Sequence, residues 1–195
     1  MSKLEYSEIK PRKIIIYKEE PYEVVNNHVA RTDQRKPQNQ CRLRNLINGR
    51  VIPTAFHASD VVEEAEVNMK EVKFLFTNPK GEFWFCEIEN PAKRFTVDQN
   101  LISDLKIFLK TNAIVELKIW TDENDNEKII GIKLPIKMTF LVKEAPPVIK
   151  GNTASGGGKL VTIETGAQIT VPFFIKADDS IIINTETGEY IERAR

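Results

Sequence analysis

Short segments rich in Ile, Val, Phe and Tyr recur along this chain of 195 residues, and each is bounded by turn-forming residues. In the clearest case, residues 72–76 and 83–88 flank the stretch 78–81, Asn-Pro-Lys-Gly, which has the composition of a hairpin turn. Strands of this length and spacing are typical of small barrels, whereas parallel sheets alternate strands with long helices. The sequence therefore predicts an all-β fold.

Further strands follow the same pattern. A second hairpin is expected to join residues 115–120 to residues 128–134 across a polar turn. Near the end of the chain, three successive strands are expected at residues 169–175, 180–183 and 190–191, separated by polar turns.

Residues 98–109 carry a helical pattern. Asp98 has the side chain of an N-cap, since its carboxylate can accept a hydrogen bond from the first free amides. Apolar residues follow at spacings of three and four, namely Leu101, Ile102, Leu105, Phe108 and Leu109. We expect one helix here.

An acidic stretch and a proline divide the chain into three parts of similar length. An acidic stretch at 63–66 ends the first part, and Leu134-Pro135 precedes a new strand at 137–142. We therefore expect domains at residues 1–66, 67–133 and 134–195. Segments of about 60 residues are too short to protect the edges of an open sheet, so closed barrels are expected.

Composition excludes several classes of protein. Lys plus Arg number 28 and Asp plus Glu number 28, so the chain is neither a uniformly basic coat protein nor a charged disordered tail. The first residues have no signal-peptide pattern, and no apolar run approaches the roughly 20 residues of a membrane span. Cys41 and Cys86 form neither a disulfide framework nor a zinc motif. We expect a monomer in a reducing cytoplasm, with no membrane partner.

The neutral total hides a basic segment at residues 31–50. Six cations lie there against the single acid Asp33, so the local net charge is 6 − 1 = +5. The stretch 30–40 is polar and is predicted to be an exposed loop, either a phosphate-binding loop or a solvated hairpin tip. Arg42 and Arg44 follow it and are candidate RNA contacts, although their stems could instead pack along the barrel.

Motifs for catalysis and for ion binding are incomplete. The stretch 155–159, Ser-Gly-Gly-Gly-Lys, lacks the first glycine and the Ser or Thr of a phosphate-binding P-loop, so it is either a close-approach loop or a plain connector. The stretch 122–126 begins like a calcium loop, but Glu127 stands where glycine is required. No nucleophile motif accompanies His28 or His57, and both cysteines are expected to be packing residues. We expect no enzyme activity, no catalytic residue, no metal and no cofactor.

Several longer segments are similar to one known family. They occur in the first, second and last thirds of the chain, and the C-terminal ones are long and specific: LRNLINGRV at 43–51, TAF at 54–56, NPAKRF at 90–95, IKGNTASGGGK at 149–159, ETGA at 164–167, VPFFI at 171–175 and NTETGEY at 184–190. Together they resemble the bacterial translation elongation factor P family, which is related to the hypusine-containing translation factor of eukaryotes and archaea.

This resemblance implies an SH3-like (KOW-like) barrel followed by two OB-folds, arranged in an L shape. It also implies binding to ribosomal RNA and proteins between the peptidyl and exit sites, contact with peptidyl-tRNA, and stimulation of peptide bonds at proline runs. In the last domain, Gly151, Asn152, Thr153 and Ala154 match the loop that approaches the exit-site codon of the mRNA. Tyr190 and Arg193 match an aromatic and basic pair that contacts RNA.

The tip loop of the first domain departs from the family pattern. The family carries Pro-Gly-Lys-Gly or its arginine version, whose tip residue is often modified and reaches toward the peptidyl-transferase centre. Counting forward from His28 places the tip at Asp33, and counting back from Leu43 places it at Gln34, so the loop is one residue longer and has no glycine. The neighbouring cations are Arg31, Arg35 and Lys36, of which we favour Arg35 because its guanidinium binds phosphate or a base without modification. The alternative is that the loop is only a spacer, and that the protein binds the ribosome or RNA without rescuing stalls.

Overall fold

A computed structural model describes residues 2–32, 35–147 and 157–194, and all of their side chains except those of residues 31–36. Strands make up 57% of the structure and helix 6%, so the predicted all-β class is confirmed. One short α-helix, α1 (Gln99–Ile102), accompanies the strands. In chain order the strands are β1 (Lys3–Glu5), β2 (Ile14–Tyr17), β3 (Glu20–Thr32), β4 (Arg35–Asn45), β5 (Val51–His57), β6 (Val61–Glu64), β7 (Val67–Thr77), β8 (Phe83–Glu87), β9 (Arg94–Val97), β10 (Ile114–Thr121), β11 (Glu127–Lys133), β12 (Lys137–Glu144), β13 (Gly158–Ile163), β14 (Gln168–Pro172), β15 (Ser180–Asn184) and β16 (Tyr190–Arg193).

The described strands form three sheets. Their orders are β1-β6-β2-β3-β4-β5, then β11-β10-β7-β8-β9, and finally β14-β13-β12-β15-β16. Both predicted hairpins are confirmed, because β7 pairs with β8 and β10 neighbours β11. The strand predicted at 169–175 ends earlier, at Pro172, where the Ile175 amide donates to the Pro172 carbonyl and closes a turn.

The predicted single helix is wrong in its second half. Asp98 does cap the N-terminus, since its side chain accepts a hydrogen bond of 2.8 Å from the Asn100 amide. After four residues, however, Ser103 takes a φ of 50° and the chain continues as a 3-10 helix over Ser103–Phe108. A 3-10 helix has three residues per turn. The two short helices bury one side chain each, Ile102 at the end of α1 and Phe108 at the end of the 3-10 helix.

The chain divides into two compact units, and the three-domain division at 66/67 and 133/134 stays a prediction. Unit 1 contains residues 1–70 and 116–132, and unit 2 contains residues 71–115 and 133–195. Each buries apolar side chains. One core cluster of unit 1 comprises Leu4, Ile9, Ile15, Tyr22, Val24, Cys41, Leu43 and Phe56. The most buried side chains of unit 2 include Phe85, Phe140, Ile163, Ile175, Ile181 and Ile183.

Contacts between loops and strands hold unit 2 together. The rings of Phe108 and Phe140 pack with centroids 6.0 Å apart. Nearby, the Thr165 hydroxyl donates to the Ile107 carbonyl at 2.6 Å, and the Lys110 ammonium donates to the Thr139 carbonyl. Residues 107–110 are therefore joined to strand β12 and to the turn between β13 and β14 by both apolar and polar contacts.

Candidate functional site

Strands β3 and β4 form a long antiparallel ribbon where the sequence predicted an exposed loop at 30–40. Their register runs from Tyr22↔Asn45 to Thr32↔Arg35. The loop prediction is wrong because backbone hydrogen bonds alone can extend a ladder, whatever the polarity of its side chains. Arg31, Arg35 and Lys36 lie on strands, although only their backbone is described, and Asp33 and Gln34 lie outside the described residues.

A buried amide braces this ribbon about midway along β4. Asn39 is 0% exposed, and its Nδ2 donates to the carbonyls of Tyr6 at 2.6 Å and Ile9 at 2.9 Å. Its Oδ1 accepts a hydrogen bond of 3.2 Å from Asn27 on β3. Sequence reasoning missed Asn39, because a polar residue in a polar stretch gives no signal of burial. The amide thus ties β4 both to the neighbouring strand and to the segment after β1.

The two arginines predicted to contact RNA have different surroundings. Arg44 lies 2.5 Å from the Glu23 carboxylate, and its Nε atom is buried without a partner among the described residues. Arg42 is exposed on the outer face of β4, between Asn26 on β3 and Pro53 on β5. No ion pair or hydrogen bond holds its side chain in the part of the chain that is described. Of the two, Arg42 is the better placed for an external phosphate.

A shallow groove runs beside Arg42 on the outer face of the first sheet. Its lining mixes polar side chains with small apolar ones, and it contains no acidic residue: Asn26, His28, Gln40, Cys41, Arg42, Pro53, Thr54 and Ala55. Cys41 borders the same region but is 3% exposed, and burial raises the pKa of its thiol to about 11. Cys86 is buried as well, so the prediction that both cysteines are packing residues is confirmed.

Tyr190 and Arg193 share one face of the edge strand β16 because the strand is bulged. The register pairs Ile183 with Tyr190 but Ile181 with Arg193, so one extra residue is accommodated between them. Cross-strand partners point to the same face, and without the bulge two residues three positions apart would point to opposite faces. Tyr190 is half-buried, whereas Arg193 is exposed and lies 3.7 Å from Asp179.

The remaining predicted contacts belong to the loop of the last domain, which is only partly within the described residues. Gly151, Asn152, Thr153 and Ala154 lie outside the described residues. Gly158, at the start of β13, fits tightly against β14: an added Cβ would lie 2.9 Å from Thr170 Cγ2 and 3.2 Å from the Val171 carbonyl oxygen.

The stretch 122–126 is a polar turn, as predicted. The Asp122 carboxylate accepts hydrogen bonds from the backbone amides of Asn126 at 3.0 Å and Asn124 at 2.9 Å, and Lys128 lies 3.2 Å away. These contacts, with the Asn126 amide first among them, lower the pKa of Asp122 to about 2. Among the described residues, no cluster of His, Cys, Asp and Glu has the arrangement of a metal site. The helices in that part of the chain are also too short or too polar to cross a membrane.

Comparison with known protein families gives matches at both ends of the chain. Residues 5–62 match the family model described as the elongation factor P (EF-P) KOW-like domain. Residues 138–193 match the model described as elongation factor P, C-terminal.

Individual relatives extend over most of the chain. Elongation factor P of Carboxydothermus hydrogenoformans is 34% identical, with 89% of this chain and 90% of the relative covered. That of Thermodesulfovibrio yellowstonii is 32% identical over 97% of both chains, and elongation factor P 1 of Lactobacillus johnsonii is 39% identical over 80% of this chain and 78% of its own. Among solved structures, a translation initiation factor 5A from Methanococcus jannaschii aligns with a TM-score of 0.46 and 11% identity, covering 67% of this chain and 93% of the other.

Proposed function

Because the chain belongs to the elongation factor P family of translation elongation factors, we propose that it binds the ribosome between the peptidyl and exit sites. Bound there, it contacts peptidyl-tRNA and promotes peptide-bond formation at proline runs, where the reacting groups are poorly placed. The observation that carries this proposal is that the family matches reach both ends of the chain, at residues 5–62 and 138–193. The first match includes the whole ribbon of β3 and β4, and the second includes β16.

The proposed role is positioning, with the ribosome supplying the reacting groups. Holding reactants in a productive geometry removes part of the entropic barrier to bond formation, and it requires no catalytic side chain in the factor. A ribbon serves this purpose well when the strands below its tip are held in place. The buried hydrogen bonds of Asn39 supply that rigidity, since they fix β4 at a point below the tip.

Arg35 is the proposed working cation of the tip. Its backbone is paired with Thr32 in the last described pair of the ribbon, one step from the residues at which the family carries its special side chain. Neither Asp33 nor Gln34 has an amine that could take a lysine-type extension. A guanidinium needs no modification to bind phosphate through two parallel hydrogen bonds or to stack on a base.

The experiment measures ribosome binding and proline-run synthesis side by side, in a reconstituted translation system. Arg35→Ala should abolish rescue of the stall while leaving binding largely intact, because the other contacts lie elsewhere on the chain. Arg35→Lys should recover part of the rescue, since the charge returns but the planar fork does not. Lys36→Ala is the matched control. Full rescue by Arg35→Ala, or an added mass on Lys36 in protein from its own source, would show that another residue does this work.

Tyr190 and Arg193 form the proposed RNA contact of the last domain. The bulge in β16 brings a ring and a guanidinium to the side of the strand that buried Ile183 and Ile181 also take. Arg193 is exposed and Tyr190 is half-buried, so at this edge strand the two could pair with a phosphate and stack on a base. Arg193→Ala should reduce ribosome binding and spare stability, because an exposed ion pair with Asp179 contributes little. Tyr190→Phe keeps the ring and should have a smaller effect than Tyr190→Ala. If these variants unfold at clearly lower denaturant concentration yet bind normally, the two residues are structural.

The departure of the tip from the family pattern favours one alternative function. In that alternative the protein binds the ribosome or RNA but no longer rescues stalls. Both functions predict ribosome binding, and only the first predicts faster synthesis across a proline run by the unaltered protein. The synthesis assay therefore separates them.

A further inference from the structure

The outer face of strands β7, β8 and β9 carries an arrangement that the proposed function does not use. Two rows of cross-strand neighbours lie on it. One row is Phe76, Trp84 and Thr96, and the next, two residues along β8, is Lys73, Cys86 and Arg94. Cross-strand partners share a face, and so do residues two apart on one strand, so all six belong together. We call these six residues the aromatic–basic face.

The aromatic row is a stacked pair that is open to solvent. The ring centroids of Phe76 and Trp84 are 6.3 Å apart with an interplanar angle of 19°, and Phe76 is 45% exposed. The opposite face of the same strands already holds buried Phe74 and Phe85. The core beneath this sheet is therefore filled by other aromatic side chains, and Phe76 lies at the surface without a role in the core.

The second row places positive charge beside the rings. Lys73 and Arg94 stand on either side of buried Cys86, and no acidic residue belongs to the six. Within the described ranges, neither cation has an ion pair or a hydrogen bond from its side chain. Residues two apart on a strand are separated by about 7 Å, which is within the span of one nucleotide from base to phosphate.

From this juxtaposition we propose that the aromatic–basic face binds single-stranded RNA, with an unpaired base stacked on Phe76 and Trp84 and the adjoining phosphates on Lys73 and Arg94. Proteins that bind single strands combine aromatic platforms with a positively charged track in this way. A base inside a duplex cannot reach the platform, because both of its surfaces are covered by its neighbours. The site is distinct from the ribbon, from Arg42 and from β16, so it adds a contact to those of the proposed function.

The first test follows the two indole N–H signals of the chain by nuclear magnetic resonance, since the sequence contains two tryptophans. A single-stranded RNA of ten adenosines is titrated into the full-length protein. The Trp84 signal should move, while that of Trp120, which is 6% exposed, should not. A ten-base-pair RNA duplex, and a strand of the same length without bases, should leave the Trp84 signal in place. No ribosome is present, so this result is independent of the proposed function.

The second test uses matched variants and follows the titration of the Trp84 signal. Phe76→Ala should weaken the interaction about tenfold, as expected for loss of one base–aromatic stack. Phe174→Ala is the control, because Phe174 is 59% exposed and lies outside the six residues. Arg94→Ala should lower the slope of log K against log salt by roughly 0.7. Lys143→Ala, which removes an exposed cation of β12 outside the six residues, should not change that slope.

Four results would overturn the proposal. The first is a Trp84 signal that does not respond to the single strand, and the second is an equal loss of affinity in Phe76→Ala and Phe174→Ala. The third is a Trp84 signal that moves with protein concentration alone, which would assign the face to contact between two copies of the chain. The fourth is an equally strong response to the strand without bases, which would mean that no base stacks on Phe76 and Trp84.

Discussion

At the scale of single residues, the side chain with the clearest structural role is Asn39. It is a polar residue in the interior, where an unpaired amide or carbonyl costs free energy, and it donates to two backbone carbonyls of the non-strand segment that follows β1. Asn39→Ala should lower the free energy of unfolding by about 1–3 kcal/mol, because the carbonyls of Tyr6 and Ile9 lose their donor. Chemical denaturation measures this loss.

Gln40→Ala is the matched control, since Gln40 is the exposed neighbour on the same strand. Its effect should stay within about 0.5 kcal/mol. Equal effects of the two substitutions would mean that the buried hydrogen bonds of Asn39 do not hold the ribbon.

A second residue-scale prediction concerns acid. The Asp122 carboxylate accepts hydrogen bonds from Asn126 first and then from Asn124 and Lys128, and its pKa falls from 3.8 to about 2. A group whose pKa is lower in the folded state stabilises the fold above its unfolded-state pKa, and this contribution is lost as the pH falls through the folded value. Asp122→Ala should therefore flatten the decline of stability between about pH 4 and pH 2. Thermal unfolding at several pH values measures it.

Glu123→Gln is the control for Asp122→Ala, because it removes an exposed carboxylate from the same turn. An acid profile that is unchanged in Asp122→Ala would show that the hydrogen bonds of this turn do not favour the ionised form.

At the scale of elements, the contact of β13 with β14 explains why residue 158 is glycine. In an ordinary strand, replacing glycine with alanine stabilises by roughly 0.5–1 kcal/mol. Here the new Cβ would meet Thr170 Cγ2 at 2.9 Å and the Val171 carbonyl oxygen at 3.2 Å, and forcing a methyl group into a packed site costs about 1–3 kcal/mol. Gly158→Ala should thus be destabilising on balance, as measured by denaturation.

The double variant Gly158→Ala with Thr170→Ser identifies the cause of that loss. Serine lacks the Cγ2 methyl group, so part of the stability should return, while the contact with the Val171 carbonyl oxygen remains. A Gly158→Ala variant as stable as the unaltered protein would mean that the two strands separate at little cost.

The elements that sequence patterns predict best are those with apolar periodicity. The aromatic hairpin of β7 and β8 was predicted because its core face alternates and its turn has turn residues. The part of β4 near the tip was not predicted as a strand, because its pairing depends on backbone hydrogen bonds, which produce no recognisable pattern in a polar sequence. The sequence predicts one continuous helix after Asp98, which is more regular than the observed structure, since apolar spacings of three fit an α-helix and a 3-10 helix alike.

The candidate site shows the same limit. The basic residues were found by composition, but the pairing of Arg44 with Glu23 depends on which residues face each other across β3 and β4. The common face of Tyr190 and Arg193 depends on a bulge, and a period of two cannot predict one.

At the scale of the whole molecule, a formal net charge of zero means that the proposed attraction to RNA must come from local groups. Arg42→Ala should weaken ribosome binding and reduce the slope of log K against log salt by roughly 0.7–0.9, the value for one phosphate contact. Arg44→Ala should change this slope less, because its charge is already paired with Glu23. Binding measured over a series of salt concentrations distinguishes the two variants.

The contribution of Arg44 should be visible in stability instead. Its ion pair is partly exposed, so the loss in Arg44→Ala should stay below about 1 kcal/mol. If Arg42→Ala leaves the salt slope unchanged in a folded protein, the outer face of β4 does not touch phosphate.

Asn39 is the fixed point from which the reach of the ribbon of β3 and β4 can be counted in residues. A strand advances about 3.4 Å per residue and its side chains alternate between two faces, so two residues added to each strand above Asn39 lengthen the ribbon by about 7 Å, preserve its faces and leave the core below undisturbed. A residue added to one strand alone reverses which side chains face outward beyond that point, or creates a bulge. Insertions of two residues in each strand therefore change how far the tip extends and leave its outward side chains unchanged, whereas one residue added to each strand changes both.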